Sequence, residues 1–184
     1  LAMEEIFTHN LLKAEFTAVL MPIVRRKSLG YFMTDGVLYS HADAGVSTEA
    51  DGLFVSFDSL ESGRAELVQK GEGFAEVIGA ADIALEIVSP TSVRKDTVVL
   101  RDLYFRAGVR EYWLVDARPG RRDSVNRTAC DAPRFEILRS TEAGFVPVKD
   151  DNGWLKSGVL NESFRIEVQT DRLGHPQFSL LRRE

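Results

Sequence analysis

The sequence predicts one domain of the α/β class, α+β in its mixture of strand types, with a mixed β-sheet core, flanking helices and extra antiparallel strands. Three observations predict it. ADIALEIVSP and EYWLVD are strand patterns separated by a charged, amphipathic helix pattern. Strand, helix and strand within about 35 residues is the spacing of a crossover between parallel neighbours. Short strand patterns bounded by turn formers continue on both sides of that unit. Finally, 184 residues at 44% hydrophobic and 28% charged suffice for one full core, residues 1–184, and are too apolar for a disordered segment.

Taken in order, Thr8 caps a helix over 9–24, with Leu11, Leu12, Phe16, Val19 and Leu20 as its apolar face. Pro22 is expected to kink or close it. Residues 31–39, YFMTDGVLY, predict two strands around a turn at Asp35-Gly36, and HADAGVSTEA predicts a loop. DGLFVSF, 51–57, is a strand, and 65–68 with 74–78 form a hairpin around QKGEG. Residues 82–88 are a strongly apolar strand that Pro90 ends. Ser92 or Asp96 caps a helix over 96–107, whose stripe is Val99, Leu100 and Leu103 and whose end is Gly108. A strand at 111–115 follows, then a polar loop, PGRRDSVNRTACDAP, then strands at FEILR, GFVPV, SFRIEV and QFSLL. There is no internal repeat or low-complexity segment.

A net charge of −5 excludes binding to nucleic acid through overall positive charge. It leaves room for a nuclease, whose metal-binding carboxylates are themselves a source of negative charge. The basic clusters at Arg25, Arg26 and Lys27, at Arg94 and Lys95, and at Arg118, Arg121 and Arg122 read as solvated surface. Cys130 is the single cysteine. No internal disulfide is possible, and a reducing cytoplasm is the expected compartment. No apolar run approaches a membrane span and no signal peptide is visible, so no membrane partner is expected.

The chemistry concentrates at Asp82 and Glu86, two acids inside an apolar strand. A buried ionised carboxylate costs several kcal/mol or more unless cations or donors compensate it. Alternation puts Asp82, Ala84, Glu86 and Val88 on one face and Ile83, Leu85 and Ile87 on the other. Asp82 and Glu86 lie roughly 13 Å apart along the strand, too far to ligate one ion together. Glu86 therefore needs a partner from another segment, and Asp51, at the mouth of the 51–57 strand, is the best candidate. Two carboxylates with carbonyls and waters suit Mg²⁺ or Mn²⁺. Asp82 is left to cap its strand or to support the site from behind. The alternative reading has Asp51 in a turn and Glu86 paired with an arginine.

Other constellations read as structure. His41, Asp43 and Glu49 lie among turn formers, His9 is a surface or packing residue, and His175 before Pro176 marks a turn. No serine sits in a nucleophile elbow, and GEGFAEVIG lacks the strand-to-helix setting of a phosphate loop. Tyr104, Phe105, Tyr112 and Trp113 are spaced as core.

DGLFVS, ADIALEIVSP and DLYFRAGVREYWLVD resemble the Uma-two family of restriction-endonuclease relatives, a bacterial family within the PD-(D/E)XK nuclease-like superfamily. The matching residues are Asp51, Asp82, Glu86, Ser89, Pro90, Tyr104, Gly108, Val109, Glu111, Tyr112, Trp113 and Asp116. The resemblance implies a restriction endonuclease-like mixed sheet flanked by helices. It also implies Mg²⁺-dependent hydrolysis of DNA, with Asp51 and Glu86 as metal acids and Glu15 as the candidate for a further acid on the first helix. The family's lysine is missing. Val88 holds the position two residues after Glu86, and Leu100 holds the helix position that carries the lysine in many members. Lys95, just before the helix, is then the candidate catalytic base-side cation, and Arg101 is the lesser one. Two functions are therefore expected as alternatives: a metal-dependent DNA endonuclease, and a catalytically degenerate relative that binds DNA or a protein partner. A homodimer through late strand edges is a further expectation.

Overall fold

The structure, a computed structural model, describes residues 2–118, 121–122, 129–130 and 133–184. The chain begins with α1 (Ala2–Arg26), then β1 (Gly30–Met33), β2 (Leu38–His41), β3 (Val46–Glu49), β4 (Gly52–Ser56) and the short α2 (Phe57–Glu61). Next come β5 (Ala65–Lys70), β6 (Gly73–Gly79) and β7 (Ile83–Ile87). A π-helical turn, Lys95–Val99, runs straight into α3 (Leu100–Arg106), and β8 (Glu111–Asp116) follows. The later strands are β9 (Arg121–Arg122), β10 (Ala129–Cys130), β11 (Arg134–Thr141), β12 (Gly144–Pro147), β13 (Asp150–Asp151), β14 (Trp154–Lys156), β15 (Ser163–Thr170) and β16 (Pro176–Arg183).

The central sheet has six strands in the order β1-β4-β7-β8-β11-β12. β7 and β8 are parallel, as the crossover spacing predicts, and the other pairings in this sheet are antiparallel. Alternation along β7 sets the layers. Ile83, Leu85 and Ile87 enter one core with Leu12, Phe16, Leu20 and Ile23 of α1 and with Phe164, Phe178 and Leu180 of β15 and β16. Ala84 and Val88 enter the other with Leu100 and Tyr104 of α3 and with Tyr39, Ala65 and Val77. The second core is roofed by a four-stranded sheet, β3-β2-β6-β5, and the C-terminal strands form another, β13-β14-β15-β16. At its C-terminal end α3 stops where Gly108 takes φ 76°, a left-handed conformation that costs glycine little.

Several sequence expectations need correction. The first helix is longer than 9–24 and has no start at Thr8, because residues 2–7 extend it with good helix formers. It also passes Pro22 without ending. Ile23 and Val24 are buried beyond that proline, and their packing holds the last turn in place. Leu11, placed on the apolar face, is exposed. The two strands flanking Asp35-Gly36 do not pair with each other. β1 joins β4 in the central sheet, whereas β2 joins β3 and β6 in the roof. The expected loop at 41–50 contains β3. On the 96–107 helix Val99 is exposed, and the buried pair is Leu100 with Tyr104, four residues apart. The loop around Cys130 lies largely outside the described residues, and its described parts form the β9–β10 ladder.

Candidate metal centre

Backbone register brings the two leading acids together. Gly52 pairs with Leu85 across the β4–β7 ladder, so Asp51, one residue earlier, comes level with Glu86. Gly52 makes this approach possible. A Cβ there would lie 3.0 Å from Leu85 Cδ2 and 3.0 Å from Phe32 Cζ. The Ile87 backbone N–H, next to Glu86, donates to Asp51 Oδ2 at 2.7 Å and fixes that carboxylate at the strand mouth.

Glu86 is 2% exposed. Its Oε1 accepts from the Tyr104 hydroxyl at 2.6 Å, a role that core spacing alone did not suggest for Tyr104. Burial, and then the nearby Asp51 charge, push the Glu86 carboxyl up to about 8. Asp51 moves the other way. Burial works against its charge, but hydrogen bonds from His9, the Ile87 N–H and Lys13 outweigh burial and hold it below the usual carboxylate range. The contrast arises because Asp51 has charged and N–H donors while Glu86 has a neutral phenol.

α1 supplies part of this environment. His9 Nε2 is 3.1 Å from Asp51 Oδ2, and Lys13 Nζ is 2.9 Å from Asp51 Oδ1 and 2.6 Å from Asp35 Oδ1. His9 and Lys13, four apart, form one stripe of the helix. The spacing was legible in the sequence, but nothing in one sequence says which strand end that stripe faces. A third acid, Asp96, is 1% exposed in the π-helical turn before α3, an irregularity found often at functional sites. Ser92 bonds its Oδ2, and its Oδ1 has no hydrogen-bond partner among the described residues. Burial first, and Asp51 among nearby charges, raise its pKa.

The remaining candidates stand elsewhere. Asp82 is fully buried and receives the Ser56 N–H at 2.7 Å and the Ser59 hydroxyl at 2.9 Å. Arg110 and Arg64 lie 3.1 and 3.5 Å from its Oδ1. The arginine pairing weighed for Glu86 thus belongs to Asp82, and no arginine pairs with Glu86 among the described residues. Glu15 turns to the C-terminal sheet, where its Oε1 accepts the Leu180 N–H at 2.9 Å. Arg101 donates to the Phe145 carbonyl at 2.9 Å, away from the acids. Lys95 is half-exposed, 3.5 Å from Asp96 Oδ1, and its charge favours ionised Glu86. Leu100 and Val88, where a lysine was sought, are both 4% exposed in the core.

No cluster of three or more His, Cys, Asp or Glu forms a ready metal cage among the described residues. An adjacent carboxylate pair fits a smaller demand. Mg²⁺ takes one or two carboxylates and keeps several waters, and all-oxygen donors suit Mg²⁺ or Mn²⁺.

The family model described as "Uma2: Putative restriction endonuclease" matches residues 2–168. A solved structure, the crystal structure of a "putative nuclease belonging to DUF820" from Anabaena variabilis, superposes with a TM-score of 0.57 at 14% identity. The match covers 83% of this chain and 73% of that one, and at this identity it shows a shared fold. No curated protein matches.

Proposed function

The chain belongs to the Uma2 family, and from that premise we propose that it is a metal-dependent endonuclease hydrolysing DNA phosphodiester bonds, with Asp51 and Glu86 holding Mg²⁺ or Mn²⁺. The observation that carries this reading is the pairing of the two acids at one strand mouth, with the Glu86 carboxyl driven up to about 8 by burial and by Asp51. Two carboxylates kept close at such cost to ionisation make a site whose charge balance improves when a cation arrives. When bound, the metal supplies Lewis acidity toward the phosphate and lowers the pKa of a water.

The protein's own groups account for the rest. The Ile87 N–H and Tyr104 hydroxyl orient the two carboxylates. Lys95, half-exposed at the entrance to α3, lies 3.5 Å from Asp96 Oδ1, and its charge favours ionised Glu86. In the reaction a water oxygen bonds to phosphorus and one P–O ester bond breaks. The water's proton passes through solvent to the leaving oxygen. A second reading, a degenerate relative that binds DNA or a protein partner, is favoured by apolar Leu100 and Val88 at the usual lysine positions. A homodimer through an edge strand such as β16 belongs with the first reading and is checked by sedimentation.

The deciding experiment incubates the protein with supercoiled plasmid and Mn²⁺, beside Glu86→Ala and an EDTA control. Metal-dependent nicking that Glu86→Ala abolishes is expected. Loss of nothing in Glu86→Ala overturns the assignment of Glu86, and no nicking under any metal favours the degenerate reading.

A further inference from the structure

We infer that Lys13 of α1 is the cationic residue of this site, placed to donate to the scissile phosphate in a chain whose strand and helix lysine positions are apolar. The inference rests on the nuclease reading and names a residue that reading does not use. Phosphodiester hydrolysis builds negative charge on the phosphate oxygens, and a fixed donor or cation aimed at that charge is a large source of acceleration. The described residues offer few such cations near Asp51 and Glu86. Val88 and Leu100 are core, Arg101 is bound to the Phe145 carbonyl, and Lys95 is paired with Asp96 and half in solvent. Lys13 alone among the lysines contacts a proposed metal acid directly, with Nζ 2.9 Å from Asp51 Oδ1 and its side chain 13% exposed.

The helix fixes that position. Leu12, Phe16, Leu20 and Ile23 are each about fully buried against the central sheet and set the roll of α1. That roll turns the His9 and Lys13 stripe toward the strand mouth. Asp35, in the turn between β1 and β2, holds the ammonium from the other side at 2.6 Å. Asp35 adopts φ 38°, a left-handed turn conformation that aspartate tolerates better than most residues. The ammonium thus has a second anchor that keeps it at the site when Asp51 takes up another cation. Held between the Asp35 and Asp51 carboxylates, the Lys13 ammonium serves the site as a hydrogen-bond donor.

The test uses the full chain with Mn²⁺ and supercoiled plasmid, and compares wild type with Lys13→Met, Lys13→Gln and Glu86→Gln. Mn²⁺ affinity is measured by calorimetry and folding by thermal melts. Lys13→Met is expected to lower the single-turnover cleavage rate about 100-fold or more, while Mn²⁺ binds as tightly as to wild type or more so. Lys13→Gln removes the charge but keeps a hydrogen bond to Asp35 or Asp51, and it decides the matter if Lys13→Met does not fold. A folded Lys13→Gln that binds Mn²⁺ and cleaves at the wild-type rate overturns the inference and leaves the nuclease reading intact. A wild type that binds no Mn²⁺, with Glu86→Gln behaving identically, overturns both. A structural ion pair alone predicts a lower melting temperature with an unchanged rate for the folded fraction, which also overturns it.

Discussion

Glu86 and Asp51 illustrate how two carboxylates of one sheet end acquire opposite acidities. The pKa of Glu86 rises from 4.5 to about 8 on folding, while that of Asp51 falls below 3.8. For Glu86 the folded state binds the extra proton between those values. Its stabilising effect is complete below about pH 4.5 and is lost as pH rises through about 8, at up to about 1.4 kcal/mol per pH unit. Asp51 contributes in the opposite sense, with stability present above its unfolded value and lost as acid titrates it. The metal-free protein is therefore expected to melt at lower temperature in mild alkali than near about pH 5. Glu86→Gln should remove that decline, and Mn²⁺ should restore stability to wild type in alkali. Melts in EDTA across pH check this, and an equal decline in Glu86→Gln would place the titrating group elsewhere. Tyr104→Phe removes the one hydroxyl favouring ionised Glu86, so its Mn²⁺ binding should need higher pH than wild type, as calorimetry across pH would read out.

At the scale of elements, β7 and α3 divide structural from chemical work along a few residues. Asp82 at the entry to β7 ties the end of β4, α2 and the chain before β8 together through Ser56, Ser59, Arg64 and Arg110. Asp82→Ala leaves a buried N–H unpaired and two arginines without their acid. It is expected to cost about 2–4 kcal/mol and to leave the Mn²⁺ affinity of the folded protein unchanged. A large change in affinity would move Asp82 into the site. Leu100 marks the other side of the division. It is four residues before Tyr104 on the buried stripe of α3, so Leu100→Lys buries an ammonium rather than restoring a catalytic one. Denaturant unfolding should show a loss of about 3 kcal/mol or more, with no gain in nicking. A stable and faster Leu100→Lys would show that this helix position still faces the acids. Gly52→Ala should cost about 1–3 kcal/mol through contact with Leu85 and Phe32.

For the molecule as a whole, on the proposed nuclease reading, charge would govern how DNA is met. With a net charge of −5, the protein has little long-range attraction for a polyanion. Binding is therefore expected to depend on the cation that offsets Asp51 and Glu86. Filter binding of a duplex at about 0.15 M salt should be weak in EDTA and stronger with Ca²⁺, which occupies oxygen sites without promoting cleavage. Equal binding in EDTA and in Ca²⁺ would assign DNA contact to surfaces independent of the acids. No described helix is long and apolar enough to cross a membrane.

The sequence by itself determined the crossover β7–α3–β8 and the two faces of β7, and it left the approach of Asp51 to Glu86 as one of two readings. The crossover and the two faces each follow from a local period or spacing within a short stretch, whereas the β4–β7 register decided between the two readings of Asp51. The sequence did not determine where α1 begins, because helix propensity continued past the Thr8 signal. Nor did it assign β1 and β2 to different sheets, since a turn fixes a change of direction and leaves the partners open. Tertiary structure alone gave the arginines to Asp82 instead of Glu86, and aimed Tyr104 at Glu86 and Lys13 at Asp51. Those contacts span 18 to 38 residues of sequence. A side chain's partner across such a gap depends on how the helices and strands roll and dock, and that is fixed by burying Leu12, Phe16, Leu100 and their neighbours together rather than by any residue near the site.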